Sequence, residues 1–445
     1  MYSSRRQSSP RWLMAFILGV FLSTGLLIFL TLSSESLNRR IEAIPFYVRT
    51  YVSKFRPNVD MPAPPNVSAI APEALLEASP GNDTSDTPAY FNEATLNPTE
   101  PVSEDANPVA LVQSNILSPA PIASQVALTG ITHQWQTWNN CGPATITMNL
   151  SYYSRPETQV EAAQFLKPNQ EDKNVSPEEL AAYARSLGFA ATTRVGGDLD
   201  LLKQLLSNGF PVIVEFWLNP EDNGGLGHYR LFTGYDEAGG YFLAEDSLNG
   251  SGIQAPMAEF DAFWQVFSRT YVVAYPPEQT ALVHAIIGQE MIDQTMFERA
   301  LATAQMEARD NPNNAYAWFN IGANYARLEQ PELAAGAFDQ ARHLGLPYRM
   351  LWYQFDIFDV YLAVGRYQDV IDLSTATLQA TGGLEEPYYY RGLALEATGQ
   401  PEAAADDFRA ALDYNPNFTP AAEALAAPRK FSLQKIGRIP LSLTP

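Results

Sequence analysis

Apolar positions along this 445-residue chain follow three rhythms. The first is unbroken: Trp12 to Leu32 carries no charge for 21 residues. As a helix at ~1.5 Å per residue that stretch measures about 31 Å, enough to cross a bilayer core. The pattern predicts a transmembrane helix over 12–32, preceded by a basic tail (1–11) and followed by a juxtamembrane segment (33–56). A cleaved signal peptide fits less well, because its apolar region runs only about 7–15 residues before a small-residue cleavage site. Arg5, Arg6 and Arg11 precede the span while Arg39, Arg40 and Arg49 follow it, so the basic residues nearly balance. A short tail, one helix and a long acidic segment favour a cytoplasmic N-terminus and an extracytoplasmic body. The expectation is a single-pass protein of the cell membrane.

Residues 57–126 have little apolar period, and hold twelve Pro, nine Asp/Glu and no Lys or Arg. Such a segment buries too little surface to offset its chain entropy, and reads as a Pro-rich, acidic, disordered linker with no binding role. From 127 to 278 the second rhythm sets in. The spacing predicts helices over 144–153, opened by Gly142-Pro143, over 176–186, opened by the capping box Ser176-Pro-Glu-Glu, and over 199–206. It then predicts strands over 211–218, 228–235, 241–245 and 269–275. Helices followed by strands indicate an α+β domain.

The third rhythm occupies 279–428, with a period near 34. Gly288, Gly322 and Gly392 take equivalent places, each followed twelve residues later by Ala300, Ala334 and Ala404. Trp318, Ile321, Gly322, Tyr325, Ala334, Phe338 and Ala341 form one unit; Tyr388, Gly392, Gly399, Ala404, Phe408, Ala411 and Pro416 form another. Both resemble the tetratricopeptide repeat, an all-α solenoid. The unit between them, 351–383, is degenerate but keeps Tyr361, Gly365 and Tyr367. Motif residues of this kind are scaffold, and the function of the array lies in a surface that receives a peptide or a protein partner. A basic tail, 429–445, ends the chain.

Composition narrows the choices. Hydrophobic residues at 46% and charged residues at 17% exclude wholesale disorder. The net charge of −21 is uneven, since residues 1–56 alone carry +6. An acidic body excludes nucleic acid as a partner, because phosphate needs a basic face. One cysteine, Cys141, rules out an internal disulfide and a cysteine metal cluster. No cofactor is called for.

Cys141 stands immediately before the first predicted helix, where free N–H groups and the helix dipole lower a thiol pKa. Of the four histidines, His284 and His343 fall among the repeats and His133 in the approach to the cysteine. His228 opens an apolar strand after the turn Asn223-Gly-Gly-Leu-Gly and is the best base. Asp246 ends the next strand, where antiparallel pairing brings it beside His228 as the acceptor for the second ring nitrogen. Glu245 points to the opposite face by period two, and Asp236 lies in a turn. Gln136 offers an amide to an oxyanion beside the Cys141 N–H, with Gln134 the competing choice. Taken singly, a cysteine is more often a small buried hydrophobe and a strand histidine structural; the ordered set is what carries the chemistry.

These blocks carry a resemblance. Gln136-Thr-Trp-Asn-Asn-Cys141-Gly-Pro-Ala, Gly227-His228-Tyr and Glu245-Asp246-Ser together resemble the bacteriocin-processing, double-glycine-leader cysteine peptidases in their stand-alone form. The resemblance covers about a third of the chain. It implies a papain-like α+β fold with Cys141 as nucleophile, His228 as base, Asp246 as the residue that orients it and Gln136 as oxyanion donor. The family often has Asp-Pro where this chain has Asp246-Ser247, and its transporter-fused members carry a phosphate-binding motif that is missing here. The expected function is a membrane-anchored cysteine peptidase acting on a peptide or protein, with repeats that recruit a substrate or partner. The alternatives are a peptide-binding scaffold without catalysis and an amidase acting on cell-wall peptide bonds.

Overall fold

The helix Cys141–Ser151 is buried on all sides, from Gly142 to Leu150 without a break. Such a helix must satisfy its polar side chains internally. Thr147 Oγ1 donates to the Pro143 carbonyl at 2.8 Å and Asn149 Nδ2 to the Pro211 carbonyl at 3.2 Å. The computed structural model describes residues 61–64, 70–78, 118–169, 172–218 and 225–427, all in the unit Val59–Pro445. The predicted tail, transmembrane helix and juxtamembrane segment, and the basic tail at 429–445, lie outside these residues. Among the described residues no helix is long and apolar enough to cross a membrane.

Against the buried helix lies a sheet of seven strands among the described residues. They are β1 (Gln125–Ala127), β2 (Ala190–Arg194), β3 (Val212–Leu218), β4 (Leu226–Asp236), β5 (Tyr241–Asp246), β6 (Gly250–Pro256) and β7 (Tyr271–Tyr275). Their order is β2-β7-β3-β4-β5-β6, with β1 beside β4. Every pairing is antiparallel. Alternation along the strands splits the core into two layers. Ile213, Tyr229, Leu231, Val272 and Ala274 face the buried helix. Val212, Val214, Phe232, Tyr271 and Val273 face helices Leu199–Ser207 and Met257–Trp264.

The second predicted helix forms at Pro177–Ser186, with its capping box intact: Ser176 receives the Glu179 N–H and Glu179 reaches back to Ser176. The first helix starts earlier than its pattern implied, at Cys141 rather than Ala144. Helix Gln159–Leu166 and strands β1, β2 and β6 were not anticipated, being short or too polar to show a clear period.

After β7 the chain is helical. Paired helices Ala315–Arg327 and Pro331–His343, Asp356–Ala363 and Tyr367–Thr381, and Glu385–Ala397 and Pro401–Tyr414 stack in sequence. Gly322 and Gly392 each face the ring of the next helix's phenylalanine. A Cβ there would lie 2.7 Å from Phe338 and 2.5 Å from Phe408. Gly288 departs from this equivalence: it ends helix Thr280–Ile287 with φ +70°, a backbone need and not a packing one.

The linker reading fails for part of its length. Residues Pro72–Glu77 form a helix whose Leu75 is fully buried among the repeats. Gln305 Nε2 donates to the Leu75 and Ala78 carbonyls at 3.0 and 3.1 Å, and Tyr325 Oη lies 2.8 Å from the Leu75 carbonyl. Arg342 holds the Pro62 carbonyl at 2.6 Å. Leu75 and Leu76 supply a local apolar face that the composition of the whole segment conceals.

Sheet and repeats share one core. Trp217 of β3 packs against Phe267, Tyr316 and Tyr353. Elsewhere the contact is acidic: Asn174 Nδ2 donates to Glu386 Oε1 at 3.0 Å, and Asn415 Nδ2 to Glu385 Oε1 at 3.0 Å. Burial raises the carboxyl of Asp172 to about 6, of Glu179 to about 7 and of Glu385 to about 8, the last with help from the charge of Asp172. Glu386 is raised further by burial and by Glu385 and Asp172.

Two outcomes follow. Gly322→Ala should cost about 1–3 kcal/mol through overpacking on Phe338, read as a lower unfolding midpoint. The raised carboxyls hold protons in the folded chain that the unfolded chain releases near pH 4–5, so their contribution to stability falls as pH rises from about 5 to 8. Glu386→Gln should flatten that fall, measured as unfolding midpoint against pH.

Candidate active site

The turn before the buried helix places Cys141 at its first residue. Asn139 is left-handed at φ +54°, a conformation asparagine tolerates. Asn140 is pinned by its Nδ2 bond to Thr137 Oγ1 at 2.8 Å. Gly142 allows close approach, since a Cβ there would meet Val175 at 3.2 Å. The half-buried Cys141 side chain is electrostatically coupled to His228 and to the backbone N–H groups of Tyr229 and Gly142.

His228 is presented by β4, opposite Phe216 of β3. Its Nε2 lies 3.0 Å from Asp246 Oδ1, which leaves Nδ1 for the thiol. Pairing of Leu231 with Glu245 brings the end of β5 alongside the start of β4. Asp246 is fully buried and its two oxygens are fully used. Oδ1 also accepts the N–H groups of Leu248 and Asn249, each at 2.9 Å. Oδ2 accepts from Arg230 Nε at 2.9 Å, Arg230 Nη2 at 2.8 Å and Asn249 Nδ2 at 3.1 Å.

The electrostatics follow from these contacts. Burial pushes the Cys141 thiol up, but the hydrogen bond and charge of His228 and the two N–H groups outweigh it, and the thiol falls below its ordinary value. Burial alone would depress His228; the charge and hydrogen bond of Asp246, then those of Cys141, lift it to about 9. Despite burial, the imidazolium, Arg230 and the Asn249 N–H hold Asp246 far below the usual carboxylate range. A thiolate–imidazolium pair is therefore favoured over its neutral form.

Gln136 is tied to the residue after Asp246. Its N–H donates to the Ser247 carbonyl and its Oε1 accepts from Ser247 Oγ, both at 2.8 Å. Gln134 is committed elsewhere, with Oε1 accepting the Gln159 N–H at 2.8 Å. Glu245 does point the other way, to His133 Nδ1 at 2.7 Å and Ser251.

Several contributors escaped the sequence reading. Arg230 shares a strand face with His228 by period two, so its signal was present. Ser247 and Asn249 lie in the turn after Asp246. Glu215 and Tyr353, which line the cleft at Cys141, are 74 and 212 positions from it and gave no signal. Among the described residues no group of side chains could hold a metal ion.

Residues 121–272 match the model of the Peptidase C39-like family, and residues 385–418 match that of the tetratricopeptide repeat. No curated protein matches the chain. Among solved structures, a proposed C39-like peptidase from Bacillus anthracis is 17% identical over 34% of this chain and 98% of its own, with a TM-score of 0.30. A double glycine motif protease from an AMS/PCAT transporter, solved with its leader peptide, is 22% identical over 34% of this chain and 98% of its own, with a TM-score of 0.26. The structure of MamA is 17% identical over 31% of this chain and 80% of its own, with a TM-score of 0.27. The chain carries a C39-like domain followed by tetratricopeptide repeats.

Because Cys141 is the one cysteine of the sequence, alkylation reports on it alone. His228→Ala should slow labelling by a small haloacetamide at pH 7 about tenfold or more, since the thiolate loses its counter-ion.

Proposed function

We propose that this chain is a cysteine peptidase, anchored to the cell membrane through residues 12–32 with its body on the extracytoplasmic side. The observation that carries the reading is the imidazole of His228, held through Nε2 by a fully buried carboxylate and electrostatically coupled to a thiol at a helix start. The match to the C39-like family model over the same residues supports it. The uncharged 21-residue run supports the anchor.

In this reading the Cys141 thiolate attacks a peptide carbonyl and forms a tetrahedral oxyanion adduct, the precursor of an acyl thioester. The Cys141 backbone N–H and the Gln136 side-chain amide stabilise the oxyanion. Collapse breaks the C–N bond as His228 gives its Nδ1 proton to the leaving amine. Neutral His228 then takes a proton from water, the hydroxide attacks the thioester, and the acid product leaves with Cys141 and His228 restored to the ion pair. Asp246 keeps the ring oriented and does not transfer a proton. The repeats recruit the peptide or protein substrate, or a partner that brings it.

Hydrolysis of a peptide library should rise through the lowered thiol pKa and fall through about pH 9 as His228 loses the proton it gives to the amine. Alkylation of the thiol needs no such proton and should not fall there. Asp246→Asn should reduce hydrolysis by about 10²-fold or more with little change in fold. A thiol whose labelling is slow and indifferent to His228 would overturn the reading and leave a peptide-binding scaffold.

A further inference from the structure

The cleft at the thiol has walls from both parts of the molecule. It is lined on the sheet side by Cys141, Gly142, Val175, Glu215, Gly227 and Tyr229, and on the repeat side by Tyr353. The cleft is tight, with room for about one water-sized group. The Tyr353 ring lies against Gly227, where a Cβ would come within 3.1 Å of two ring carbons. It is held edge-on to Trp217 at 6.2 Å and to Phe267 at 6.1 Å. Four residues earlier, Arg349 Nη1 donates to the Gly225 carbonyl at 2.8 Å. The segment 349–353 thus grips the strand start that presents His228.

The cleft also holds an unfinished contact. Glu215 is 3% exposed, and its Oε2 has no hydrogen-bond partner. A buried polar atom left without a partner costs about 1–3 kcal/mol, and a ligand group that reaches it recovers that cost. Burial, and then the charge of the nearby Cys141, raise this carboxyl well above its ordinary value, which favours the form that can donate to a carbonyl as well as accept.

We propose that the cleft is the subsite for the substrate residue beside the scissile bond, and that Tyr353, from the repeats, sets the size of what enters while Glu215 hydrogen-bonds it. The proposal rests on the peptidase reading, and names a specificity residue for the same site. The repeats then belong to the substrate site itself.

The test uses the full-length chain and its one thiol. Rates of Cys141 labelling by iodoacetamide and by bulky N-benzyl iodoacetamide are compared for Tyr353→Trp, wild type, Tyr353→Leu and Tyr353→Ala. The bulky-to-small ratio should rise in that order, by about tenfold or more from wild type to Tyr353→Ala, as pocket contacts of one or a few methylenes discriminate. Tyr353→Leu keeps an apolar side chain against Trp217 and Phe267 and serves if Tyr353→Ala does not fold. A ratio indifferent to residue 353, with iodoacetamide labelling fast and dependent on His228, would overturn this proposal alone. Slow labelling indifferent to His228 would overturn the peptidase reading and this proposal with it. Against a peptide library, Tyr353→Ala should admit larger residues at one position flanking the cut, and Glu215→Leu should raise KM more than it lowers kcat.

Discussion

A single buried carboxylate organises the site. Asp246 has no exposed surface, and an ion so placed costs several kcal/mol unless every lone pair is engaged. Here six contacts engage it, from His228, Arg230, two backbone N–H groups and Asn249. The two N–H groups come from a turn that the aspartate itself makes, so the chain reversal between β5 and β6 and the charge are built together. Arg230 is held in turn over the Phe216 ring at 4.4 Å, and Phe216 lies edge-on to His228. The imidazolium is favoured because its counter-ion cannot be hydrated away. From that follows the lowered thiol.

How much of this the sequence displays depends on the distance over which its signal acts. The capping box Ser176-Glu179 is local chemistry and marks its helix start in full. The strands β3 to β5 announce themselves as apolar runs because they are buried. His228 and Asp246 were legible because antiparallel neighbours relate the start of one strand to the end of the next. Arg230 carries the same signal, two residues further along the same strand face. Tyr353 was not legible: its role comes from where a helical array docks, and no period or motif encodes docking. Gly288 misled for the reverse reason, because a glycine at repeat spacing serves packing at Gly322 and backbone conformation at Gly288.

The join between sheet and repeats explains a glycine pattern that looks like loop composition. Gly225 is left-handed at φ +82°, and a Cβ there would fall on the Trp217 indole. Gly227 leaves space for Tyr353 and Phe267. The two glycines flank Leu226, and together they let an aromatic wedge from the repeats reach the strand that carries His228. A catalytic group misplaced by about 1 Å can cost about 10²-fold in rate. A backbone clamped by Arg349 and Tyr353 fixes the position of His228 more firmly than a free strand end would.

The helix at 72–77 is held by the repeats chiefly through its main chain. Gln305 and Tyr325 bond the carbonyls of Leu75 and Ala78, Arg342 that of Pro62 and Arg309 that of Leu76. Main-chain carbonyls are common to any sequence, so these contacts fix direction and register without reading side chains. The side chains that pack are apolar: Leu75 is fully buried where Gly336 leaves room for its methyl groups, and Met61, Ile70, Leu76 and Ala78 pack partly buried against the same core. An acidic, proline-rich stretch therefore docks through a short local apolar cluster, which its average composition hides. The same array that would be expected to take a peptide from elsewhere already holds one from its own chain, and it does so by four polar side chains and a small apolar cluster centred on Leu75.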